Sequence, residues 1–104
     1  MILTTTETIP NKKVKEILGV VRGNTIRTRN VGVDILSQLK HIIGGELKGY
    51  STMITQARDE AYDRLQEEGE KLGADAIINI RFVTAEVMPG AAEILCYGTA
   101  VRLK

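Results

Sequence analysis

The chain has 104 residues, which sets one domain as the expectation and leaves little room for an enclosed active-site cavity. Hydrophobic residues make up 43% and charged residues 26%, which excludes a disordered chain. A net charge of +1 excludes global steering toward nucleic acid or anionic lipid.

No stretch approaches the roughly 18–20 apolar residues of a membrane span, so no membrane partner is expected. Residues 1–13 lack the apolar core of a signal peptide. The one cysteine, Cys96, excludes an intrachain disulfide and makes a reducing, cytoplasmic setting the expectation. Aromatic residues are scarce, so the core must be aliphatic.

Taken in chain order, Ile2 to Thr6 are β-prone, and Pro10-Asn11 marks a break. Residues 14–21 read as a strand. Gly23-Asn24 interrupts it as a turn or bulge, and Thr25 to Thr28 continue the extended chain. Asn30 can cap a shorter helix whose apolar residues, Ile35, Leu36, Leu39, Ile42 and Ile43, keep helical spacing up to a Gly44-Gly45 stop.

A second, longer helix follows, capped by Ser51 or Thr52. Ile54, Ala57, Ala61, Leu65 and Leu72 form its apolar face. Glu60/Arg64 and Glu67/Lys71 make i,i+4 pairs, and Gly73 closes the helix. Gly69, inside the helix, implies either close packing or a frayed last turn. Residues 75–87 and 92–103 read as a hairpin turned by Met88-Pro89-Gly90, where Pro then Gly suits a type II turn.

The last strand carries Leu95, Tyr97, Thr99, Val101 and Leu103 on one face and Ile94, Cys96, Gly98 and Ala100 on the other. Neither face is polar over 94–101, so both require cover. The long helix can supply one layer. The first helix or another copy of the chain must supply the other. Gly98 and Ala100 would let a neighbour's backbone approach.

Four stretches resemble the YbjQ-like family: Ile2-Leu3-Thr4-Thr5-Thr6; Gly44-Gly45 with Tyr50; Ala57-Arg58 with Ala61; and Gly73-Ala74-Asp75-Ala76-Ile77 with Gly98-Thr99-Ala100-Val101. The resemblance covers nearly all of residues 1–104 as a single YbjQ-like domain. It implies an α+β, dodecin-like subunit, an antiparallel sheet packed on one long helix with an additional shorter helix. It also implies a homo-oligomer, a pentamer, and carries a heavy-metal-binding label.

The residues give that label little support. One Cys and one His, Cys96 and His41, cannot alone build a soft-metal site in one subunit; only symmetry could gather copies around an axis. Cys96 reads as a small buried hydrophobe and His41 as a helix C-terminal cation. Asp59, Asp63 and Glu67 form an acidic stripe that reads as a solvated face. Arg58 lies beside the apolar helix face, with Asp75 as its candidate partner.

Arg58, Asp75, Tyr50, Tyr97 and Thr99 are the ligand or interface candidates. The basic N-terminal third (Lys12, Lys13, Lys15, Arg22, Arg27, Arg29) lacks the aromatic platforms of single-strand binders, so nucleic acid is not the expected partner. No catalytic motif is present, and no cofactor is named by the sequence. The expected function is a non-enzymatic homo-oligomeric module that takes a small ligand or partner at subunit boundaries. The alternatives are a metal-binding protein with ligands from several subunits, and a small enzyme with a shared site.

Overall fold

The computed structural model describes residues 1–28 and 47–104. The shorter helix, with its Asn30 cap and Gly44-Gly45 stop, lies outside the described residues, as do Arg29 and His41. The described elements are β1 (Ile2–Leu3), β2 (Val14–Thr28), α1 (Leu47–Lys71), β3 (Ala76–Met88) and β4 (Ala91–Leu103). The four strands form one sheet in the order β1-β3-β4-β2. β4 runs antiparallel to both its neighbours, while β1 lies parallel to β3. The sheet is therefore mixed rather than wholly antiparallel.

α1 packs on one face through Ala57, Ala61 and Leu65, all fully buried against Val21, Ile77, Ile80, Ile94, Cys96 and Ala100. These helix positions recur every fourth residue, so they stack on one side of the helix. Gly69 continues the row, and a Cβ there would sit 2.7 Å from Ile77 Cδ1, so close packing is the reason for the glycine. The expected stripe ends one step early: Leu72 is 45% exposed. The cause is the helix end. Gly73, at φ 76°, donates its N–H to Glu70 O, and Ala74 donates to Gly69 O, which turns the chain away before Leu72 can reach the sheet.

Three local expectations need correction. The helix begins at Leu47, so Ser51 and Thr52 lie inside it; the apolar spacing that marked its start begins only where it meets the sheet. Lys71 pairs with Glu68 at 3.2 Å, not with Glu67. Gly23 is neither turn nor bulge but a regular position of β2, paired with Cys96. A Cβ on Gly23 would lie 2.2 Å from Ala61 O and 2.5 Å from Leu65 N. The helix backbone rests on the strand at that point, and only glycine leaves room for it. The irregularities of β2 fall instead at Val14/Glu16 and Ile17/Gly19.

The hairpin turn is as expected. Pro89 and Gly90 join β3 to β4, and Gly90 supplies the positive φ, 80°, that a type II turn requires. Within β3 an irregularity between Ile78 and Arg81 contains Asn79 at φ 54°. This reverses the face parity, so that Ile77 and Ile80 both point at α1.

The division of β4 into two faces holds. Ile94, Cys96 and Ala100 pack in the helix-side core, and Gly98 lies in the same row, against Ile77 and Ile80. The close approach at Gly98 is therefore made by β3 of the same chain. On the opposite face, Val101 is covered by the N-terminal segment. Ile9 packs over Ala76, Ile78 and Val101. Thr4, Thr6 and Thr8 hold this segment in a run of short hydrogen bonds, Asn79 N donates to Thr6 O, and a turn at Pro10-Asn11 returns it to β2. The molecule is long for its mass: 55 × 22 × 16 Å, with a radius of gyration of 17.4 Å against about 13 Å for a compact chain of 100 residues.

Candidate functional site

Among the described residues, the sheet face opposite α1, here the helix-free face, is covered by the N-terminal segment at one end only. Register places its residues in rows across β2, β4 and β3. Ile17, Val101 and Ala76 form the first row, in which Val101 and Ala76 are covered and Ile17 is not, followed by Val20, Thr99 and Ile78. Next come Arg22, Tyr97 and Arg81, then Asn24, Leu95 and Val83, then Ile26, Glu93 and Ala85. Directly opposed residues share a face, so each row lies on the same side of the sheet. Within this area Val20 is 77% exposed, Ile17 70% and Ile26 57%. Tyr97 and Val83 are also exposed.

Tyr97 is therefore flanked in the sheet by two arginines, Arg22 on β2 and Arg81 on β3. Adjacent strands lie about 4.8 Å apart, which puts the backbones of Arg22 and Arg81 roughly 10 Å apart with Tyr97 between them. Arg81 is held in place, since its Nη1 donates to Thr5 O and Ile80 O, each at 2.9 Å. Glu93, two rows away on the same face, accepts a 3.5 Å hydrogen bond from Asn24 Nδ2. The open face thus combines aliphatic side chains, one tyrosine and charges of both signs. Arg81 and Glu93 did not stand out in the sequence, and Arg22 did so only as one of a basic stretch. They meet only through strand register.

The other sequence candidates are dispersed. Thr99 lies beside Tyr97's row on the same face. Tyr50 lies in the first turn of α1. Arg58 is exposed, and no described residue pairs with it. Asp75 is used elsewhere: its Oδ2 accepts from Leu103 N at 2.9 Å and its backbone joins β1 to β4. The Arg58–Asp75 pair fails on geometry, because about 20 Å of helix separates Arg58 from the C-terminus of α1, next to Asp75.

The arginine that does engage a carboxylate across elements is Arg27. It pairs with Glu60, which also holds Arg64 at 2.5 Å. Arg64 in turn donates to Asn24 O, and beneath this cluster Thr25 donates to Ala57 O at 2.9 Å. These bonds fasten the outer half of β2 to α1. The basic residues of the N-terminal third form no single patch: Lys13 and Arg27 lie about 45 Å apart along one extended strand.

Cys96 is fully buried beneath α1. Burial pushes its thiol up to about 11, so the thiolate that a soft metal requires is scarce near neutrality. Tyr62, stacked on Phe82 with ring centroids 6.2 Å apart, is also raised, first by burial and then by the nearby Cys96. Among the described residues no three His, Cys, Asp or Glu side chains gather as metal ligands, and Asp59, Asp63 and Glu67 are all exposed. This donor set does not fit a heavy-metal site. No helix of the described residues is long and apolar enough to cross a membrane.

Among the described residues, the fold defines a class: an α+β domain with one long helix on a four-stranded mixed sheet. A family model described as "Putative heavy-metal-binding" matches residues 1–104, and the chain belongs to that YbjQ-like family. It is 58% identical over 104 residues to a UPF0145 protein of Archaeoglobus fulgidus, covering 100% of this chain and 96% of that one. To a UPF0145 protein of Thermotoga maritima it is 54% identical over 104 residues, covering 100% and 98%. It is similar in fold to a crystal structure from Pediococcus pentosaceus, of a protein of unknown function in the DUF74 family. The TM-score is 0.72 at 22% identity, over 100% of this chain and 98% of that one.

Proposed function

We propose that this protein is a non-enzymatic, cytoplasmic homo-oligomeric module whose open sheet face is covered by further copies of the same chain, with small ligands or partners taken at the subunit boundaries. One observation carries the reading: the exposed Ile17, Val20, Ile26, Val83 and Tyr97, one from each row of the helix-free face. The molecule's two longer extents, 55 and 22 Å, leave room on this face for the roughly 800 Å² per partner that a stable interface buries. Its charges favour a copy of itself as the occupant. Arg22 and Arg81 lie in one row and Glu93 in another, so two such faces can pair unlike charges in register. The elongated shape supports the same reading, because a chain of this length has apolar surface that compaction alone has not buried.

A pentamer is the form the family resemblance implies. Native mass spectrometry and sedimentation at low micromolar concentration test it. Five copies of an 11.4 kDa chain give an assembly of about 57 kDa. An 11.4 kDa species alone overturns the assembly. A stoichiometric metal mass, lost on Cys96→Ser or His41→Ala, would replace this reading with the metal-binding one that the family description names.

A further inference from the structure

A second site lies away from the open rows, where the N-terminal segment folds over the sheet. Glu7, Thr8 and Ile9 on one side and Lys12, Lys13 and Val14 on the other enclose a cleft of about 260 Å³ above Ile78 and Leu103. The floor and walls are aliphatic: Ile9, Val14, Ile78 and Leu103. The cleft is charged only at Lys12, Lys13 and Glu7, which leaves an excess of one positive charge. The volume is just under the usual range for small-molecule pockets and suits a fragment-sized body.

We propose that this cleft binds a small monocarboxylic acid with a short alkyl or single-ring body. The apolar part lies on Ile78 and Leu103, and the carboxylate lies between the ammonium groups of Lys12 and Lys13. An ammonium group serves an anion as a point charge without demanding one fixed geometry, so the two lysines select for a single negative charge rather than for a forked, bidentate shape. Glu7 sets the limit: a second negative charge on the ligand would meet its carboxylate. The cleft is complete within one chain, so the inference names a ligand for the proposed module but does not depend on assembly.

The test is a titration of the full chain with hexanoate, and with hexan-1-ol as its neutral counterpart, followed by 1H–15N correlation spectra. Hexanoate is expected to shift amides of residues 7–14, Ile78 and Leu103, and to bind more tightly than hexan-1-ol. Lys12→Gln with Lys13→Gln should weaken hexanoate about 10-fold and leave hexan-1-ol unchanged. Both lysines are exposed, and the bonds they make run through their backbones, Lys12 N donating to Ile9 O and Lys13 O accepting from Lys104 N, so the fold should survive the side-chain changes. Glu7→Gln should tighten hexanoate. Shifts confined to the Tyr97 rows, no shifts at all, or equal weakening of acid and alcohol would overturn the proposal. Sedimentation of the same samples reports assembly separately, so loss of the oligomer and loss of the ligand can be told apart.

Discussion

At the scale of single residues, Cys96 and Gly23 show how one position can be fixed by the helix above it. The Cys96 thiol titrates at about 11 in the fold and near 9.0 when unfolded, because the charged form is desolvated. The native state therefore holds its proton more tightly. The resulting stabilisation is present in full below pH 9 and is lost as pH rises from 9 to 11, by roughly 2–3 kcal/mol in all. Tyr62 is shifted the same way and adds to the alkaline loss. Urea unfolding between pH 8 and 11 should show this decline, and Cys96→Ala should flatten it while lowering stability at pH 7. An equal slope in wild type and variant would remove Cys96 as its source. Gly23→Ala should be more damaging than its one methyl suggests. The new Cβ meets helix backbone, which cannot rotate away, so a loss of about 2–3 kcal/mol is expected in denaturant unfolding.

At the scale of elements, the seam between β2 and α1 depends on Glu60. Its carboxylate serves Arg27 and Arg64 together, and the side chains are between a third and a half exposed. Solvent screening holds such pairs to modest values, so Glu60→Gln should cost about 1 kcal/mol, with the cost shrinking in high salt. A double-mutant cycle with Arg27→Met would measure the coupling; a cycle energy near zero would make the pair ornamental.

Much of this layer is legible in the sequence. Alternation along residues 94–103 separates the two faces of β4, Pro89-Gly90 gives the turn, and Gly73 gives the helix end. What escapes is long-range. Nothing local in Thr4-to-Lys13 says that Ile9 will cover Val101 or that Lys12 and Lys13 will border a cleft. Gly23 looks like a turn because its real cause, a helix forty residues later in sequence, has no local trace. Nothing local to Arg58 and Asp75 shows that thirteen residues of helix and the turn at Gly73 separate them, and Arg22 meets Tyr97 and Arg81 only once strand register is known.

At the scale of the whole molecule, the question is what shields the helix-free face. A sheet with one wet face normally presents polar side chains there, and this one does so chiefly in the row of Arg22 and Arg81, with Asn24, Glu93 and Thr99 beside large exposed apolar residues in the other rows. The rows on either side are apolar in Val20, Leu95 and Val83, and Val20 is the most exposed of the large hydrophobic residues among those described. If further copies cover this face, a charge placed in its middle must be desolvated or must separate the subunits. Val20→Lys and Tyr97→Lys should both shift the protein toward an 11.4 kDa species in sedimentation, with far-UV circular dichroism unchanged, because neither side chain supports the helix-side core. Val87→Lys, near the hairpin turn and outside these rows, serves as a charge control and should leave assembly intact. Arg22→Glu should also weaken assembly, and adding Glu93→Arg should restore it in part, which a purely apolar contact would not do. Failure of that restoration, with assembly lost in both single variants, would leave the apolar rows as the contact and remove the charge pairing from it.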